Sequence, residues 1–167
     1  MLPFGLSVAG WVFANSMLKF DLKSGYFHVE IHPSLNKYLA FSWKIQTDTK
    51  YFVFAMLPFC LSVAGWVFAK NLRLLVKRWR SLGFQVIVYL DDGWGSHDPQ
   101  KSVVVSSHVK NDLQKAGFII NNDKSIWKPV TRLEWLGFIW DIEAGLIQIP
   151  ESKKYRFKKL DSQLDRI

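Results

Sequence analysis

Residues 51–69 carry no charge, and the run is closed by Lys50 on one side and Lys70 on the other. About 20 apolar residues are what an α-helix needs to cross a bilayer. This run therefore decides between a membrane-spanning chain and a fold with its own core. Pro58 stands inside it. Proline removes a backbone donor and clashes with the preceding turn, which disfavours one continuous helix. Before it, Tyr51-Phe-Val-Phe-Ala55 has the β-branched and aromatic content of a short buried strand. The expected reading is strand, turn and helix, with no membrane contact.

Part of that run occurs twice. Residues 1–14 repeat residues 56–69, and the single difference is Gly5 against Cys60. A solenoid needs several copies at a fixed period. Here there is one copy, and the similarity stops at Asn15. Residues 1–16 are expected to be a duplicated scrap and no native element of the domain. They also lack the basic stretch that opens a secretory signal.

Composition narrows the class. With 49% hydrophobic residues the chain has too much apolar material to stay disordered. The single cysteine, Cys60, excludes a disulfide scaffold and fits a reducing, intracellular setting. Lys and Arg number 22 against 14 Asp and Glu, a net charge of +8, which points to a polyanionic partner. The four histidines show no ligand spacing with Cys60, so no zinc site is expected.

Along the chain, strands are expected at residues 17–21, 38–43, 51–55, 84–90, 118–120, 133–140 and 146–149, with a polar link at 46–50. A helix is expected over 61–82, stopped by Gly83. Its cations Lys70, Arg73, Lys77 and Arg80 recur every three or four residues, opposite Phe68, Leu72, Leu75, Trp79 and Leu82. That stripe fits nucleic-acid phosphates, or is simply a solvated face. Asp98-Pro99 has the form of an N-cap followed by proline at the first helical position, opening a helix closed by Gly117. A basic amphipathic helix is expected over 151–166. Strands and helices interleave without a regular βαβ period, so the class is α+β.

Tyr89-Leu-Asp-Asp92 closes a dense β-branched run. Adjacent carboxylates at a strand end repel each other and resist burial unless a cation sits there. Asp-Gly is also an ordinary hairpin turn, so the pair alone leaves both readings open. Asp21 ends a second apolar strand. It could cap the next turn, or it could complete the carboxylate set of a two-metal site, which draws on more than one element.

Five segments in order then resemble one family. Phe20-Asp-Leu-Lys-Ser-Gly-Tyr-Phe-His-Val29, Leu57-Pro-Phe-Cys-Leu-Ser-Val-Ala-Gly-Trp-Val-Phe68 and Tyr89-Leu-Asp-Asp92 are similar to the first three palm motifs of reverse transcriptases. Leu113-Gln-Lys-Ala-Gly-Phe-Ile-Ile-Asn-Asn-Asp-Lys-Ser125 and Leu133-Glu-Trp-Leu-Gly-Phe138 are similar to the fourth and fifth. The wording looks most like retrotransposons of the DIRS type, which carry a tyrosine recombinase. The resemblance implies a polymerase palm over 17–150, an antiparallel sheet backed by helices, with the start of a thumb or connection helix at 151–167. It implies two Mg²⁺ ions, or Mn²⁺, on Asp21, Asp91, Asp92 and the Leu22 carbonyl. Lys124 would protonate the leaving pyrophosphate. Tyr26 would be the steric gate against ribonucleotides, and Phe59 and Cys60 would line the nucleotide pocket. Trp135, Leu136 and Gly137 would form the primer grip. Core packing for Tyr26, a buried turn for Phe59, a solvated charge for Lys124 and an apolar hairpin for Trp135 are the plainer alternatives. The implied partners are an RNA or DNA template-primer and deoxynucleoside triphosphates.

Two positions depart from the family. Cys60 stands where a glycine is usual, and Gly65 where a proline is usual. A Cβ at 60 would crowd a nucleotide that approaches the backbone. Fingers and most of a thumb are also missing from the segment order. A palm-centred piece is therefore expected, with apolar patches exposed where those parts, or the rest of a polyprotein, would pack. An inactive remnant that only binds nucleic acid is the alternative.

Overall fold

β1 (Ser16–Asp21) is central because its side chains alternate between two apolar clusters. Leu18 and Phe20, with Leu22 just beyond the strand, enter one cluster; Met17 enters the other. The structure is a computed structural model that describes residues 16–154. The expected duplicated start and most of the expected terminal helix lie outside the described residues. Residues 151–154 are helical, with Lys154 N donating to Pro150 O at 3.2 Å.

α1 (Ala64–Ser81), β4 (Val86–Tyr89), β5 (Asp92–His97), α2 (Pro99–Lys115) and β6 (Ile126–Val130) build round β1. The sheet order is β4-β5-β1-β6, and every pairing is antiparallel. α1 and α2 cover one face through Ala64, Phe68, Leu72, Trp79, Val105, Val109 and Leu113. Phe20 is locked there, stacked on Trp127 (5.8 Å, 3°) and edge-on to Trp79 (6.1 Å, 79°). Trp79 in turn donates to Asp112 Oδ2 at 3.0 Å. On the other face lies a three-stranded sheet of β7 (Arg132–Trp135), β8 (Phe138–Asp141) and β9 (Leu146–Gln148), so that Met17 and Trp94 meet Leu133 and Trp135. The architecture is α+β with antiparallel sheets, as expected.

Several expectations need correction. β5 occupies residues that the sequence does not mark as a strand, because Gly93 and Gly95 depress strand propensity. β6 was also missed. Residues 118–120 form no strand; Ile120 bridges to Leu22 and Ile119 O accepts from Lys23 N at 2.8 Å. The expected strand at 133–140 is two, broken by Leu136 and Gly137 at φ 48° and 73°, a two-residue turn with both φ positive. The separate hairpin of β2 (Ala40–Ile45) and β3 (Asp48–Val53) starts later and turns more tightly than expected. The short 3₁₀ helix Pro33–Tyr38 takes the residues before β2, and Thr49 and Lys50 pair instead of linking. α1 begins at Ala64, three residues late, after the turn in which Ala64 N donates to Leu61 O. Leu82 lies past the last turn of α1 and is 49% exposed, so it does not join the buried face.

Other expectations hold. Asp98 Oδ1 accepts from Lys101 N at 2.9 Å, with Pro99 opening α2. Residues 51–69 divide into strand, turn and helix, and among the described residues no helix is long and apolar enough to cross a membrane. The apolar face of the β2–β3 hairpin is open: Phe41, Trp43, Ile45 and Phe52 are all exposed.

His97 is buried at the end of β5. Its Nε2 accepts from Gln85 N at 2.8 Å, which assigns the proton to Nδ1 and keeps the ring neutral. Burial, then the nearby Lys101 charge, pushes its pKa down to about 4. The folded value lies below the unfolded one, so its contribution is complete above about pH 6.5 and is lost as pH falls toward 4. At pH 5 the urea midpoint is expected to fall by the equivalent of about 2 kcal/mol relative to pH 7.5. The drop should be much smaller in His97→Gln; an equal drop in both proteins would show that another group is responsible.

Candidate active site

The site is built by register. Asp21 ends β1 and Asp92 begins β5, and the two are direct cross-strand partners. Residues opposed in an antiparallel pair share a face, so the two carboxylates stand side by side. This is the face away from the helices, since Phe20 and Gly93, one step along, face α1. Asp91 sits in the two-residue turn between β4 and β5, where Tyr89 pairs with Asp92. The turn, Leu90-Asp91, falls two residues earlier than the Asp92-Gly93 turn reading expected. Leu90, its first residue, has φ 55°, a left-handed conformation that costs a non-glycine residue about 1 kcal/mol. Such strain is typical of residues held in place by a functional site.

Backbone bonds fix this corner. Leu22 N donates to Asp91 O at 2.9 Å, and the bridge to Ile120 holds Leu22 from the other side. Asn121 N donates to Asp21 O at 2.9 Å. Ser125 has a role that its sequence position only hinted at. Its hydroxyl accepts from Asp21 N at 3.1 Å and donates to Asn121 O at 2.7 Å. The segment after α2 is thereby pinned beneath β1, and Lys124 Nζ comes to 3.9 Å from Asp21 Oδ2.

Burial, then the Asp91 charge, then the Asp21 charge raise the Asp92 pKa; Lys124 opposes them weakly. This is the signature of carboxylates held together against repulsion. Among the described residues no group of three or more His, Cys, Asp or Glu is placed so as to hold a metal ion on protein ligands alone. The candidate donors are hard oxygens on two strands and a turn, and all three carboxylate residues are partly exposed. That set suits a divalent cation that completes its shell with water and substrate phosphate oxygens.

The other expected residues fall round this corner. Tyr26 lies in the 3₁₀ turn Gly25–His28, directly after β1. Its ring is buried, stacked on Phe68 of α1 at 5.0 Å and tilted against Phe59 at 4.5 Å. Gly25 permits the approach: a Cβ there would lie 2.7 Å from Phe68 and 3.3 Å from the Asp91 Cβ. Phe59 is 60% exposed, so the buried-turn alternative fails for it. Cys60 is exposed beside it. Gly65 lies in the first turn of α1, with Tyr26 Oη and Leu90 Cδ2 at ordinary contact distance from a would-be Cβ. The α1 N-terminus therefore packs directly on the carboxylate turn.

Trp135 is buried in the second cluster, stacked on Trp94 at 5.8 Å. At the tip of that hairpin Leu136 is exposed, and Gly137 O is held by Lys153 Nζ at 3.1 Å. Lys70, Arg73, Lys77 and Arg80 are all exposed on α1. Among the described residues none of them pairs with a carboxylate.

An antiparallel sheet with a helical layer behind it has the architecture of a reverse transcriptase palm. The family model for reverse transcriptase (RNA-dependent DNA polymerase) matches residues 11–140, and the chain belongs to that family. No curated protein matches the chain. Among solved structures it is similar to foamy viral protease-reverse transcriptase. In the complex with an RNA/DNA hybrid the TM-score is 0.72 at 18% identity, covering 95% of this chain and 21% of that one. In a complex with dsDNA the TM-score is 0.73 at 19% identity, covering 95% and 32%. A further dsDNA complex gives 0.73 at 18%, covering 95% and 27%. The chain thus spans about a fifth to a third of the proteins whose fold it shares.

Proposed function

We propose that this palm carries out nucleotidyl transfer, adding deoxynucleotides to a primer 3′-hydroxyl on an RNA or DNA template. The observation that supports this most is the cross-strand pairing of Asp21 with Asp92, with Asp91 in the adjoining turn. Two Mg²⁺ ions, or Mn²⁺ in their place, would be held by Asp21, Asp91, Asp92 and the Leu22 carbonyl. When bound they activate the attacking oxygen and neutralise charge on the transferred phosphate.

The chain's own groups do the rest. Lys124, beside Asp21, holds a proton for the leaving pyrophosphate. Tyr26 is backed by Phe68 and cannot retreat, so its ring would reject a ribose 2′-hydroxyl by clash. Phe59, leaning on Tyr26 and exposed, offers a face to the incoming nucleotide. Leu136 and Gly137 present the primer from the tip of the β7–β8 hairpin, with Trp135 as its buried anchor. Lys70, Arg73, Lys77 and Arg80 contact phosphates without reading sequence. The motif wording supports a retrotransposon origin of the DIRS type, with residues 17–150 as palm, 151–167 leading to a thumb or connection, and 1–16 as a duplicated segment. The open face of the β2–β3 hairpin supports packing against further polymerase parts, such as fingers.

Primer extension is the test. Labelled primer on RNA or DNA template should lengthen with Mg²⁺ or Mn²⁺ and stop with a chelator. Absence of extension together with salt-sensitive duplex binding would replace this reading with that of an inactive nucleic-acid binder.

A further inference from the structure

Trp66 is 65% exposed, and packing of the core does not account for it. It stands at the head of the basic stripe, since 66, 70, 73, 77 and 80 share one face of α1. Lys70 Nζ lies 4.6 Å from the indole centroid. Beside them runs a groove between α1 and β4, of about 280 Å³, walled by Trp66, Lys70, Arg73, Val76, Val88 and Leu90. β4 is an edge strand, so the groove opens along the free edge of the sheet. Leu90 is both its wall and the first residue of the turn that carries Asp91.

We infer that this groove holds one unpaired nucleotide of the strand at the active site, its base on the Trp66 indole and its phosphates on Lys70 and Arg73. This rests on the polymerase reading and goes beyond it by naming a stacking residue and the unpaired state of the ligand. Three observations select the occupant. α1 contains no acidic residue, and among the described residues its one ion pair is Arg78 with Asp112, so Lys70 and Arg73 are open to an anion. The volume is at the small end of ligand sites, roughly 300–1,000 Å³, which admits one flat base and not a stacked duplex. An aromatic face beside cations is the usual platform for single strands, because every base has a π-face. A base entering the groove takes the indole face from the Lys70 ammonium, and that ammonium then meets the phosphate.

The test uses fluorescence anisotropy of the full chain with a labelled oligothymidylate and a blunt duplex of equal length. Trp66→Ala should weaken single-strand binding about tenfold and leave the duplex within about twofold. Trp66→Phe should retain most of the affinity. Lys70→Ala and Arg73→Ala should each weaken single-strand binding and reduce its salt slope by about 0.7. Wild-type affinity in Trp66→Ala, or equal weakening for both probes, would overturn this inference and leave the polymerase reading standing. A wild-type chain that binds neither probe at low salt would remove both.

Discussion

Asp92→Asn is expected to abolish magnesium-dependent extension while making the protein harder to melt. Both effects come from one cause. Asp92 is paired across the sheet with Asp21, and Asp91 is its neighbour in the chain. Burial and those two charges raise its pKa, so the ionised form is the disfavoured one in the folded state. A carboxyl with a raised folded pKa is favourable when protonated and loses stability as pH rises through the unfolded value of 3.8 and on to the raised value. Near pH 7 an amide of the same shape removes the repulsion. The expected gain is about 1 kcal/mol, or roughly 3 °C, and it vanishes in acid. The same exchange withdraws an anionic oxygen from the developing charge of phosphoryl transfer, and extension should fall by about a thousandfold. A third readout separates function from fold. Mg²⁺ should raise the melting temperature of the wild type by mass action and leave the variant unmoved. A variant that melts lower than wild type, with an unchanged response to Mg²⁺, would make Asp92 a structural residue.

Gly93→Ala is expected to have the largest effect on stability. Its Cβ would lie 2.1 Å from Phe20 Cζ and 2.2 Å from Cε1, well inside contact. Phe20 cannot give way, because Trp127 and Trp79 hold its ring and it is 1% exposed. Overpacking of this kind costs about 3 kcal/mol, a large share of the roughly 5–15 kcal/mol that holds a domain together. The damage would reach the site, since Phe20–Gly93 is the register step next to Asp21–Asp92. Gly65→Ala is the matched control. Its Cβ would find neighbours at 3.5 and 3.6 Å and should be tolerated. Urea midpoints of the two variants give the comparison, and equal midpoints would show that the β1–β5 contact is soft.

These two positions also show how much was legible beforehand. Asp91-Asp92 was readable as a candidate site beside an ordinary turn, because paired acids at the end of an apolar run need a reason. Gly93 was readable only as a turn glycine, whereas it is a strand residue facing a ring on another strand. Trp66 looked like one apolar residue among many in an uncharged run. Its value lies in the open side of α1, which depends on what β4 leaves uncovered. Ser125 was visible only as the last letter of a motif, because its bond to Asp21 N spans 104 positions.

By itself the sequence determined what is local. The Asp98-Pro99 cap, the Gly83 and Gly117 stops, the amphipathic stripe of α1 and the motif order follow from the side chains and their near neighbours. The tertiary structure decided what depends on register. Pairing β1 with β5 places Asp21 against Asp92, and a shift of one residue would send either carboxylate to the helix face. That register is held by Phe20 against Gly93 and by the helices packed over Phe20, contacts between residues far apart in the chain.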